Sequence, residues 1–174
     1  MGLSIVIPTI PGREVELART MEVYGELTAA PIEWVIEYDH STCGAGWNAG
    51  ALRATGDFLH LGADDLEPVT AEWWPAALQT LNAGCVPVGW VSEGDFCFGR
   101  DFARVPTCLR RWWVPVPDLH YYSDNAFTDN MAAAGHSVRV AEGYDFIHRK
   151  SMVGRDEERM GREGETYARL HQLP

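Results

Sequence analysis

The stretch Gly56-Asp57-Phe58-Leu59-His60-Leu61-Gly62-Ala63-Asp64-Asp65-Leu66-Glu67-Pro68 constrains this chain more than any other. A short apolar run that ends in two adjacent carboxylates and is stopped by Glu67-Pro68 predicts a strand with its acidic pair at the carboxyl edge of a sheet. In an open α/β sheet that edge is where ligands bind. Strand side chains alternate between faces, so one of Asp64 and Asp65 is expected to point into a cleft while the other reaches sideways. One carboxylate for a metal and one for a ligand hydroxyl is a natural division. Hard oxygen ligands in an incomplete shell suit Mg²⁺ or Mn²⁺ carrying substrate phosphates. The competing reading of the dipeptide is an N-cap for a helix starting near Val69.

With 174 residues, 46% hydrophobic and 22% charged, the chain reads as one globular domain with a full core. A net charge of −11 argues against a general nucleic-acid coat, which needs clustered Lys and Arg. Cys43, Cys85, Cys97 and Cys108 lack Cys-x-x-Cys spacing, so neither a zinc knuckle nor a disulfide framework is indicated, and buried thiols in a reducing compartment are expected. The N-terminus has no basic start followed by a long apolar run, and no stretch approaches ~18 apolar residues. The expected location is cytoplasmic.

Leu3 to Ile7, ending at Pro8, predicts a strand buried on both faces, and Thr9-Ile10-Pro11-Gly12 the loop at its carboxyl end. Arg13 to about Tyr24 has helical spacing of Val15, Ala18 and Met21 and predicts a surface helix. Ile32 to Tyr38 predicts a second strand, so the chain opens as a parallel βαβ unit. The small residues from Thr42 to Gly56 predict a tightly packed helix, with Gly44 and Gly46 near a start whose N–H groups could face an anion. Neither a dinucleotide fingerprint nor a P-loop is present. A helix around Thr70 to Asn82, closed by Gly84, and a strand from Cys85 to Val91 follow.

Ser4-Ile5-Val6-Ile7-Pro8-Thr9, Trp34 to Ser41, Trp47-Asn48-Ala49-Gly50 and Ala54 to Asp65, in that order, resemble the nucleotide-sugar half of a family-2 glycosyltransferase with the GT-A fold. The resemblance covers roughly residues 3 to 68. It implies an α/β, single-domain GT-A-like architecture, a Rossmann-like mixed sheet flanked by helices, with residues 1–91 as the nucleotide-sugar half and 92–174 as the acceptor and catalytic half. It further implies that Thr9 and Asp39 hold the nucleobase, that Asn48 belongs to the donor site, and that the DxD-type pair uses Asp64 for ribose and Asp65 for the metal. The loop joining Ser41 to Trp47 is shorter than the family's usual one, which leaves open which base is read.

Tyr121 to Val140 is similar to the family's acidic segment plus helix, and in inverting members the Asp there is the general base, which falls on Asp124. Ser123 stands where the family has Glu. A carboxylate suits the task because the acceptor hydroxyl must lose its proton as it attacks; the competing role of Asp124 is a helix cap. Gly143 to Lys150 predicts a last strand leading to His148, a position from which family members supply a His to metal or diphosphate. Arg149, Lys150 and Arg155 suggest a basic arm over the diphosphate, and residues 156 to 163 a solvated helix. Arg100, Arg104, Arg110 and Arg111, with Trp112 and Trp113, suggest an acceptor side for a glycan, a phosphorylated small molecule or a nucleic-acid end. The whole implies an inverting glycosyltransferase using Mn²⁺ or Mg²⁺ and a nucleoside-diphosphate sugar. A nucleotide-sugar-binding domain without turnover and a nucleotidyltransferase are the alternatives.

Overall fold

The computed structural model describes residues 2–93, 101–103, 105–121, 123–149 and 157–170. Two four-stranded sheets carry the fold. The first has the order β2-β1-β3-β7, from β2 (Ile32–Tyr38), β1 (Leu3–Thr9), β3 (Phe58–Leu61) and β7 (Thr107–Leu109). Its first three strands are parallel and β7 runs antiparallel to β3. The second has the order β4-β8-β5-β6, from β4 (Leu66–Pro68), β8 (Ser137–His148), β5 (Cys85–Glu93) and β6 (Asp101–Ala103). There β5 and β8 are parallel, while β4 and β6 pair antiparallel at the edges.

Alternation along β1 builds two cores from one strand. Leu3, Ile5 and Ile7 pack with Leu17, Tyr24, Trp73, Tyr144 and Phe146, whereas Val6 packs on the other side with Val35, Trp47, Leu59, Phe127 and Met131. Helices α1 (Glu14–Leu27) and α3 (Trp73–Asn82) cover the first face, and α2 (Cys43–Arg53) the second. The small residues of α2 let it lie directly on the sheet: a Cβ on Gly50 would stand 2.2 Å from Val6 Cγ1, closer than any side chain can sit. Helices α4 (Ser123–Ala133) and α5 (Glu157–Leu170) complete the elements, and Arg162–Glu158 pairing on α5 agrees with the expected solvated helix. Among the described residues, no helix is long and apolar enough to cross a membrane.

Three sequence expectations change. Glu67-Pro68 does not stop the chain; Leu66–Pro68 forms an edge strand against β8, where proline loses no essential hydrogen bond. The following helix begins only at Trp73, so Asp64 and Asp65 are not its cap. The predicted last strand is the end of one 12-residue strand, β8, with a register shift opposite Val88 and Trp90.

A polar chain crosses the aromatic core. His60, fully buried on β3, sits between Tyr24 OH at 2.7 Å from Nε2 and Thr107 Oγ1 at 2.7 Å from Nδ1. Thr107 Oγ1 meets Tyr144 OH, which donates to the Val105 carbonyl at 2.9 Å. That last bond fixes the direction: Thr107 donates to Tyr144, His60 donates from Nδ1, and Nε2 accepts from Tyr24. Burial pushes the imidazole down from 6.5 to about 3, so it stays neutral. The unfolded chain binds a proton at His60 below pH 6.5 while the folded chain does not, so this group's contribution to stability is full above 6.5 and is lost as pH falls toward 3. Denaturant titrations from pH 7 to pH 4 are expected to show a shallower loss of stability in His60→Gln than in the wild type; equal slopes would remove His60 as a source of the acid sensitivity.

Candidate functional site

The acidic pair stands at the carboxyl end of β3, and several backbone groups around it are anchored. Gly62 N–H donates to Val6 O at 2.9 Å, the Trp47 indole donates to Gly62 O at 2.9 Å, Thr20 Oγ1 donates to Asp64 O at 2.8 Å, and Arg149 N–H donates to Asp65 O at 2.7 Å. Asp64 is 6% exposed. Its carboxylate accepts from Thr9 Oγ1 at 2.6 Å, Arg13 Nε at 2.7 Å and Arg13 Nη2 at 2.7 Å. Arg13 Nη2 also reaches Asp65 Oδ2 at 3.0 Å. The hydrogen bond to Asp64, more than burial opposes it, holds the guanidinium above its ordinary range. Both carboxylates therefore share one cation, rather than dividing between cleft and side.

His148 reaches this pair because Leu66 is its partner across the β4–β8 ladder. Nε2 of His148 lies 3.1 Å from Asp65 Oδ1. Burial pushes the Asp65 carboxyl up, but the His148 bond and charge, followed by those of Arg13, leave it below the ordinary range. Arg149 does not turn to the pocket as a basic arm; its Nε is 3.2 Å from Glu67 Oε2, with Arg19 Nε 3.0 Å from the other oxygen. Glu67 is 2% exposed, and a carboxylate so buried draws cations inward. Lys150 and Arg155 lie outside the described residues.

At the ends of β1 and β2, Asp39 is exposed and has φ +58°, and its N–H donates to Thr9 O at 3.3 Å. Asn48 is committed elsewhere: Nδ2 donates to Val116 O at 2.9 Å and Val116 N–H donates to Oδ1 at 3.0 Å. Both ends of the amide thus clamp the Val116 segment to α2. The start of α2 is closed as well, since Gly44 N–H donates to Leu119 O at 2.9 Å and Ala45 N–H to Thr42 Oγ1 at 3.0 Å. Its amides serve the chain rather than an anion.

Asp124 lies in the first turn of α4. Next to it, Ser123 is hydrogen-bonded to the Cys43 thiol, which is pushed up to about 12, by burial first and then by the charges of Asp124, Asp65 and Asp64. The loop entering α4 is held by α5: Glu163 Oε2 accepts from the N–H groups of His120 and Tyr121, each at 2.7 Å. Asp64, Asp65 and His148 stand together at one edge.

Arg110 does not join them. Because β7 runs antiparallel to β3, Arg110 ends beside the start of β3, with its N–H on Asp57 O and its Nε on Gly56 O, each at 2.8 Å. Arg111 stands over the Trp112 ring, which packs on His136, while Trp113 stacks on Phe127. Arg100 and Arg104 lie outside the described residues. Arg13, Thr20 and Trp47 are the contributors that sequence reasoning missed. A basic residue in the loop after the first strand was the available signal.

No model of a known protein family and no curated protein matches the chain. Solved structures do. TarS (residues 1–349) of S. aureus in complex with UDP-GlcNAc superposes with a TM-score of 0.71 at 13% identity, covering 91% of this chain and 61% of that one. Mannosyltransferase PcManGT from Pyrobaculum calidifontis, in complex with GDP-Man and Mn²⁺, gives 0.65 at 12% identity over 92% and 60%. A mycobacterial protein gives 0.63 at 12% identity over 87% and 68%. The chain has the GT-A glycosyltransferase fold. It spans about three-fifths of the TarS and PcManGT chains.

Asp65 Oδ1 and His148 Nε2 are hydrogen-bonded, at a separation that two ligands of one divalent ion could also have. These atoms are 3.1 Å apart, close to the edge of roughly 3.0 Å between adjacent ligands of an octahedral ion with bonds of about 2.1 Å. Among the described residues no group of three or more His, Cys, Asp or Glu could hold a metal, so this pair alone would leave most of such a shell to other ligands.

The Asn48 clamp has a measurable consequence. Asn48→Ala is expected to lose about 1–3 kcal/mol of stability through the unpaired Val116 groups, with nucleotide affinity of the folded protein unchanged. Isothermal titration beside denaturant unfolding separates the two. A mutant of full stability that binds nucleotide poorly would return Asn48 to the donor site.

Proposed function

We propose that the chain is a metal-dependent, inverting glycosyltransferase of hexosyltransferase type, moving a sugar from a nucleoside-diphosphate sugar to a hydroxyl acceptor. The observation that supports this is the grouping of Asp64, Asp65 and His148 at one sheet edge of a GT-A fold, with Asp124 in the first turn of α4. The ligands named with the structural neighbours, UDP-GlcNAc and GDP-Man with Mn²⁺, support the donor class. In this reading residues 1–91 form the nucleotide-sugar half and 92–174 the acceptor and catalytic half. Thr9 and Asp39 border the nucleobase, and Asp64, held by Thr9 and Arg13, lies next to the ribose. Asp65 and His148 would hold Mn²⁺ or Mg²⁺, which supplies positive charge toward the departing diphosphate.

Asp124 takes the acceptor proton as the hydroxyl attacks the anomeric carbon opposite the diphosphate, which leaves with the bonding pair. Melting against a panel of nucleoside diphosphates with Mn²⁺ is expected to reveal one preferred base. Asp124→Asn retains shape and one cap acceptor, so melting temperature and nucleotide affinity stay near wild type while transfer falls by ~10²–10⁴. Transfer at the wild-type rate would remove Asp124 as the base. Binding without turnover in the wild type, with any acceptor, would leave a nucleotide-sugar-binding module.

A further inference from the structure

Arg13 makes a contact with Asp65 that the reading above does not use. It lies in the loop between β1 and α1, yet its side chain is only 14% exposed and is turned onto the acidic pair. The fork makes two bonds of 2.7 Å to the two oxygens of Asp64 and a longer one of 3.0 Å to Asp65 Oδ2. The opposite oxygen of Asp65 is the one beside His148. A guanidinium and a divalent ion placed on the two oxygens of one carboxylate repel each other, and with little water between them that repulsion is weakly screened. The two cations cannot both keep full contact with Asp65. Asp64, bonded through both oxygens to Arg13 and through one to Thr9, has no such choice.

We propose that Arg13 is a built-in counter-cation that competes with the divalent ion for Asp65, staying on Asp64 and giving up only its Asp65 bond when metal and donor bind. This rests on the Asp65–His148 metal reading. Arg13 is a positioning residue: it neutralises the pair when no metal is bound, sets a weak metal affinity, and makes metal occupancy depend on the donor's phosphates. The long bond is the one that yields, and the bidentate pair on Asp64 keeps the strand end in place.

The test is Mn²⁺ binding to the full chain without nucleotide, followed by the free-Mn²⁺ electron paramagnetic resonance signal, for wild type, Arg13→Gln and Arg13→Lys. Arg13→Gln is expected to bind Mn²⁺ at least ~10-fold more tightly than wild type, because the competing charge is gone while a hydrogen-bond donor to Asp64 remains. Arg13→Lys, with a point charge that cannot fork, is expected to fall between them. It also carries the test if Arg13→Gln fails to fold, since it must then bind Mn²⁺ more tightly than wild type. Equal affinities in the wild type and the folded variants would overturn the role of Arg13 while leaving the metal reading standing. Absence of Mn²⁺ binding in all three at millimolar metal would overturn both. A merely structural ion pair predicts lowered stability with unchanged metal affinity.

Discussion

Asp64 carries a negative charge into a place with little water, and the site is built around compensating it. An isolated buried carboxylate costs several kcal/mol, so it persists only when paired and fully hydrogen-bonded. Thr9 comes from the end of β1, Arg13 from the loop after it, and Thr20 of α1 holds the Asp64 carbonyl. One carboxylate thereby ties the first strand, the first helix and the end of β3 into a single unit. Glu67, equally buried three residues on, repeats the arrangement with Arg19 of the same helix and Arg149 from the end of β8. A helix that looks like a surface element in the sequence, together with the loop before it, thus supplies positive charge to both buried acids.

The second constraint is a strand pairing of high sequence separation. Leu66 to Pro68 against Phe146 to His148 joins chain segments some eighty residues apart and places His148 next to Asp65. The aromatic core supports this crossing, because Phe146 packs against His60 of β3 and Trp73 of α3. His60 is neutral there and passes a one-directional chain of hydrogen bonds from Tyr24 to Val105, which satisfies polar groups that would otherwise be costly in such a core.

Much of this was legible residue by residue. The apolar run from Leu3 to Ile7 declared a buried parallel strand, because only a sheet covered on both faces tolerates continuous hydrophobicity. The acidic pair after Phe58–Leu61 marked the ligand edge, and Gly44, Gly46 and Gly50 marked a helix lying close on the sheet. Asn48 and Arg149 were less legible. Each is a polar residue beside the right motif, and each is spent on the scaffold, on Val116 and Glu67 respectively. A sequence shows a residue's capacity to bond but not which partner reaches it first.

The sequence by itself determined the order of elements from β1 to β3, the strand-end position of Asp64 and Asp65 and the helix-start position of Asp124, because these follow from hydrophobic period and local stop signals. Only the tertiary structure decided that Arg13 bridges the acidic pair, that His148 meets Asp65, and that Arg110 sits at the far edge of the sheet. Those outcomes depend on strand direction and register between distant segments. The antiparallel course of β7 carries Arg110 away from the site, while that of β4 against β8 brings His148 into it.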